Sequence, residues 1–226
     1  RDVTPLEMAE IIDKALEYYL KALDIQKKAL GDEHPDTATT YNNIGGVYFD
    51  FADYIKALEY VLKALDIEKK VLGEEHHKTA HSYNNLSAIY NVLSDYDKAL
   101  EYSLKALDIR KKVLGKEHPD TAFSLNNIGN IYCNLADYGK ASEYYLKALE
   151  VRIKVLGEKH PDTAISYDNI GSFYSNIADY EKALEYSLKA LEIHKNIFGN
   201  EHPNTASSYN HIGCRYSDIA NYDKAL

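Results

Sequence analysis

Cysteine is nearly absent, with Cys133 and Cys214 the only two. They sit in different units of the repeat described below, whereas a disulfide needs α-carbons within roughly 7 Å of each other. The pair therefore reads as reduced thiols, which places the protein inside the cell, in the cytoplasm. No apolar run approaches the roughly 18 residues of a membrane span, and the opening residues RDVTPLEM lack the apolar centre of a signal peptide. No membrane partner is expected. Runs of Lys and Arg are missing too. With 26 basic against 35 acidic residues and a formal charge of −9, the chain has no dense positive field for a phosphate backbone, so no nucleic acid is expected. The chain begins with Arg1 rather than Met, which reads as a segment of something longer.

Catalytic constellations are also lacking. The nine histidines include His34, His76, His118, His160 and His202 at one fixed spacing, and one imidazole per unit cannot close a compact coordination shell. His76, His77 and His81 are the nearest approach to a ligand cluster, without cysteines beside them. No nucleophile is paired with a base, and no glycine-rich loop is placed to cradle phosphate. Neither enzyme activity nor a cofactor or metal is expected.

What is present is a repeat. Gly31, Gly73, Gly115, Gly157 and Gly199 fall every 42 residues along the 226-residue chain, a period that means a solenoid whose units bury their apolar faces against neighbours. With 45% hydrophobic and 27% charged residues, the chain is apolar enough to fold. The boundaries follow as one array over 1–226: an N-terminal lone helix over 1–30, full repeats over 31–72, 73–114, 115–156 and 157–198, and a truncated repeat over 199–226.

Each unit opens with Gly, a polar loop and His34-Pro35-Asp36-Thr37-Ala38 or its equivalent, where proline suits a first helical turn and the early Asp complements its dipole. In the helix that follows (helix A), Tyr41, Ile44, Gly45 and Tyr48 share one face, and the small Gly45 admits a close neighbour. Asp53 caps helix B, whose Ala57, Leu58, Val61, Ala64, Leu65 and Leu72 form the opposing stripe. Outward on helix B, the pairs Glu59 and Lys63, Asp66 and Lys70, Glu101 and Lys105, and Asp108 and Lys112 read as a solvated face, each adding about 0.2 to 0.5 kcal/mol. At the start, Thr4, Pro5 and Glu7 form a capping box, and Ile11 stands where later units have the turn Asp, so the first helix should run unbroken.

The set Tyr41, Ile44, Gly45, Tyr48, Ala57 and Ala64 recurs as Tyr83, Leu86, Ser87, Tyr90, Ala99 and Ala106, then at Leu125 to Ala148 and at Tyr167 to Ala190. It resembles the tetratricopeptide repeat, whose usual unit has about 34 residues. The longer unit looks like the repeats of kinesin light chains and related regulatory proteins. That resemblance implies an all-α, right-handed superhelical solenoid of antiparallel helix pairs, a non-catalytic scaffold that grips a protein or peptide in a concave groove lined by the A helices. The implied groove residues are Asn42, Asn43, Asn84, Asn85, Phe123, Asn126, Asn127, Asn130, Asn134, Asp168, Asn169, Asn176 and Asn210. Each asparagine offers a donor and an acceptor, so a column of them can pair with a peptide backbone whatever its side chains, or equally bond to its neighbours. Lys78 and Arg215 are too few for a carboxylate clamp, and Asp50, Asp168 and Asp218 favour a neutral or basic segment. An alternative reading comes from the ends. Asp223-Lys224-Ala225-Leu226 repeats Asp13-Lys14-Ala15-Leu16, so the first helix of one copy resembles the helix the last unit lacks, and copies would stack head to tail.

Overall fold

The computed structural model describes the backbone of residues 5–225 and the side chains of residues 10–220. It divides into two compact units, Arg1–Val113 and Leu114–Leu226, each built from helices packed in sequence order as antiparallel pairs. The first holds α1 (Pro5–Leu30), α2 (Pro35–Asp50), α3 (Tyr54–Val71), α4 (His77–Val92) and α5 (Tyr96–Val113). The second holds α6 (Pro119–Asn134), α7 (Tyr138–Leu156), α8 (Pro161–Asn176), α9 (Tyr180–Phe198) and α10 (Pro203–Ala225). Even-numbered helices are the A helices of the repeat. Thr4 and the Glu7 side chain, and with them the expected capping box, lie outside the described residues, while α1 runs unbroken as Ile11 implied. In the last unit no turn interrupts α10, which continues past the position where the earlier units bend.

The loop that opens each unit is held by two contacts that recur with the period. The Thr37 hydroxyl donates back to the Gly31 carbonyl at 3.1 Å, and Thr79, Thr121, Thr163 and Thr205 do the same to their glycines at 2.7 to 2.9 Å. The glycine takes φ near +90°, where a Cβ would be strained. His34 then caps α2: its Nδ1 accepts from the Asp36 backbone N–H at 3.2 Å, and His76, His118, His160 and His202 repeat the arrangement. The periodic histidines are thus helix caps, satisfying donors that a helix start leaves open.

The turn between A and B is as regular. Ala52, Ser94, Ala136 and Ala178 sit at φ between 57° and 61°, with Asp53 Oδ1 accepting from the Lys56 N–H and Asp137 and Asp179 capping α7 and α9 likewise. Lys56 also lies 4.9 Å from the Tyr48 ring centroid, and Tyr48 stacks on Tyr60 at 5.5 Å. The same lysine, tyrosine, tyrosine stack appears at Lys98, Lys140 and Lys182, each combining a cation over a ring face with offset aromatic packing.

Between the paired helices the core is close-packed. Ala57, Ala99, Ala141 and Ala183 have no exposed surface, and Ile44, Leu86, Ile128 and Ile170 almost none. A Cβ on Gly45 would meet Val61 Cγ2 at 2.6 Å, and one on Gly129 would meet the Tyr145 ring at 2.9 Å. The one repeat with serine here solves the crowding by bonding: Ser87 Oγ donates to the Ala99 carbonyl at 2.8 Å and lies 2.6 Å from Ser103 Oγ. The four predicted acid and lysine pairs of helix B form at 2.6 to 2.9 Å, all exposed, where such pairs contribute little.

Candidate functional site

Helix A carries two adjacent polar positions in its middle, occupied by Asn42 and Asn43 and their equivalents. A step of about 100° per residue separates them around the helix, and the structure gives them different roles. Asn42, Asn84 and Asn126 are buried, Asn85, Asn127 and Asn169 half-buried, and Asn43 exposed.

In the first unit Asn42 Nδ2 donates to Glu68 Oε1 at 3.2 Å and to Ser82 Oγ at 2.7 Å. With Asn42 Nδ2 turned to the Glu68 carboxyl, Asn42 Oδ1 receives Asn85 Nδ2 at 3.3 Å. Asn85 Nδ2 also approaches His81 Nδ1 at 3.4 Å. The Asn85 amide nitrogen is thereby committed within the rung. The second unit repeats the rung, Asn169 Nδ2 donating to Asn126 Oδ1 at 3.0 Å. Between α8 and α10 the same two positions are Asp168 and His211, 3.4 Å apart. Burial pushes the Asp168 carboxyl up, against the opposing pull of His211, His194 and Arg215.

Other groove residues are engaged in different ways. Asn130 accepts the Tyr145 hydroxyl proton at 2.6 Å, and Asn176 reaches Cys133 Sγ at 3.7 Å. Phe123, Asn134 and Asn210 are exposed on α6 and α10. Asp218 accepts from Ser175 at 2.9 Å and lies 3.5 Å from Arg215 Nη1. Both cysteines are free. Among the described residues no group of three or more His, Cys, Asp or Glu side chains is placed to share a metal ion, and no helix is long and apolar enough to cross a membrane.

Beneath the asparagines lies a buried polar position that sequence reasoning missed. It comes from the helix preceding each A helix, at residues 26, 68, 110, 152 and 194, and at 26, 68, 152 and 194 it meets the hydroxyl of the next A helix. Thr40 donates to Gln26 Oε1 at 2.7 Å, Ser82 to Glu68 Oε2 at 2.5 Å, Arg152 Nη1 to Ser166 Oγ at 2.6 Å, and His194 Nδ1 lies 2.8 Å from Ser208 Oγ. Geometry is constant and charge is not. Sampling the sequence at the 42-residue period would have exposed one polar residue at a fixed place in an otherwise apolar stripe. Glu68 is 1% exposed, and burial pushes its carboxyl up to about 7 against the pull of Ser82, Lys78 and Asn42. It also borders a cleft of about 250 Å³ between α2 and α4, lined by Asn43, His77, Lys78 and His81.

The tetratricopeptide repeat pattern matches residues 12–70, 42–91, 79–152, 124–186 and 167–226. The chain belongs to the tetratricopeptide repeat family. Among solved structures, BtubC (BKLC) from P. vanneervenii aligns with a TM-score of 0.73 at 21% identity, over 98% of this chain and 87% of that one. A putative kinesin light chain with nearly identical TPR-like repeats from Podosopora anserina aligns with a TM-score of 0.67 at 21% identity, over 84% and 90%. A Rap protein complexed with Competence and Sporulation Factor aligns with a TM-score of 0.66 at 17% identity, over 95% of this chain and 62% of that one. Such identities establish the fold alone. A comparison with curated proteins finds no match.

Proposed function

We propose that this tetratricopeptide repeat chain is a non-catalytic interaction scaffold that holds an extended protein or peptide segment against the asparagine rungs of its A helices. The observation that carries the reading is the orientation of Asn85 and Asn169. Each is tied through Nδ2 to a buried asparagine, so each presents a carbonyl oxygen held in place before a ligand arrives. An extended backbone supplies N–H donors whatever its side chains, and acceptors fixed in advance lose less conformational entropy on binding. A neutral or basic segment suits them, since acceptors and carboxylates predominate over free cations. The complex of a Rap protein with a factor is in keeping with the fold serving as a receptor. Free thiols suit a reducing, cytoplasmic setting. The test is affinity for peptides selected from a random library, measured before and after Asn85→Ala with Asn169→Ala. Loss of at least tenfold is expected, and unchanged binding would remove the groove assignment.

A second reading is favoured by exposed tyrosines. Within the units, the A-helix tyrosines equivalent to Tyr209 and Tyr216 pack on a helix B ring, as Tyr41 and Tyr48 do on Tyr60. On α10, Tyr209 and Tyr216 are 48% and 56% exposed and Gly213 faces open space, while Tyr18 of α1, at the Tyr60 position, is 68% exposed. On this reading Tyr18 of one copy of this 226-residue chain would cover Tyr209 and Tyr216 of the next, and copies would stack head to tail. Sedimentation of this 226-residue chain should then show a mass rising with concentration, abolished by Tyr18→Ala; a constant monomer mass excludes it.

A further inference from the structure

The exposed edge of the A helices differs between the units at one repeat position. In the first unit it holds Thr39 and His81; in the second it holds Phe123 and Ile165, 43% and 46% exposed, on α6 and α8, and Ser207 on α10. Both lie one helical turn before the asparagine rung, Phe123 ahead of Asn126 and Asn127 and Ile165 ahead of Asn169. The rung, together with the Asn176 to Cys133 contact further along, ties α6 to α8. Two large apolar side chains are therefore part-exposed beside a side-chain amide, Asn169, that is fixed by its rung. The helices that bear them are also one-signed: α6 and α8 carry Asp120, Asp162 and Asp168 and neither Lys nor Arg. Two arginines approach α8 from neighbouring helices: Arg152 of α7 is buried against Ser166 and the Asp162 carbonyl, and Arg215 of α10 donates to Ser172 at 3.2 Å and lies 3.5 Å from Asp218.

We propose that the α6–α8 face is the specificity subsite of the groove, seating a large apolar side chain of the bound segment with a lysine or arginine adjacent to it in sequence. The inference rests on the groove reading and adds to it the class of side chain recognised. The apolar residue covers Phe123 and Ile165 while its own N–H meets Asn169 Oδ1. Its basic neighbour sits in the field of Asp120 and Asp162, Asp168 being paired with His211, and this makes binding salt-sensitive.

Selection of a random displayed peptide library on the full chain should enrich Leu, Ile, Met or an aromatic residue next to Lys or Arg. The selected peptide is then tested by fluorescence anisotropy against Phe123→Ser with Ile165→Ser. Other repeats carry Thr39 and Ser207 exposed at this position, so the pair of serines leaves the fold intact. At least tenfold weaker binding is expected, and replacing the peptide's apolar residue by alanine should cause no further loss in that variant. If the serine pair binds as well as the parent while Asn85→Ala with Asn169→Ala binds weakly, the subsite falls and the groove stands. If neither variant weakens binding, or the library yields no binder, both fall.

Discussion

Replacing Glu68 by glutamine should change how stability depends on pH. The carboxyl is 1% exposed and pushed up to about 7 from the ordinary value of 4.5. An acid whose folded pKa is raised retains its proton in the native state when the unfolded chain has already lost it. Stability is therefore highest below 4.5 and falls as pH climbs to about 7, beyond which the loss is complete. An interval of about two and a half pH units at about 1.4 kcal/mol each makes the loss about 3 kcal/mol. Glutamine carries no charge to desolvate; its Oε1 can accept from Asn42 while Nε2 donates to Ser82, which reverses the direction of the Ser82 bond. Gln26 beside Thr40 one period earlier shows that a glutamine and a hydroxyl fit together at this place, there with the hydroxyl donating. Urea denaturation followed by far-UV circular dichroism from pH 4.5 to 8.5 should find the two proteins within about 1 kcal/mol at the acid end and the variant more stable by up to about 3 kcal/mol above pH 7.5. Parallel pH profiles would refute the reasoning, because they would mean that Glu68 ionises no less readily in the folded chain than in the unfolded one.

The crowding at the helix crossing predicts that serine is not equivalent at every repeat. Gly171→Ser faces Ser187 Oγ at 2.8 Å, as Ser87 faces Ser103, and should alter stability by less than about 1 kcal/mol. Gly45→Ser drives a Cβ to 2.6 Å from Val61 and should cost about 1–3 kcal/mol by thermal denaturation; equal effects would contradict the packing. At the turns, Ala52→Gly, Ala136→Gly and Ala178→Gly relieve a left-handed backbone and should each stabilise by up to about 1 kcal/mol, checked by the urea midpoint of the triple variant.

Much of the fold was legible because its devices recur. A glycine at φ near +90°, a threonine six residues on and a close-packed alanine leave the same letters every 42 residues, so period alone located helices and turns. The histidines were legible as periodic but not as caps, since an imidazole accepting from a backbone N–H is a less familiar cap than Asp or Ser. The site was legible only in part. Asn42 and Asn43 look alike in sequence, yet one is buried beneath the other's neighbours, because that depends on what arrives from the next helix. Residues 26, 68, 110, 152 and 194 escaped notice for the opposite reason. Gln, Glu, Arg, Arg and His have no letter common to all, and the hydroxyl met at 26, 68, 152 and 194 reveals a common place.

The tyrosine stacks make each repeat its own spectroscopic probe. With 21 tyrosines and no tryptophan, the near-ultraviolet signal of the chain is tyrosine's, and rings such as Tyr48 and Tyr60, 5.5 Å apart beneath Lys56, are close enough to couple electronically. Exchanging one stacked tyrosine for phenylalanine should silence a single repeat in the dichroic spectrum. A series of such exchanges would report the order in which repeats open without attaching a label.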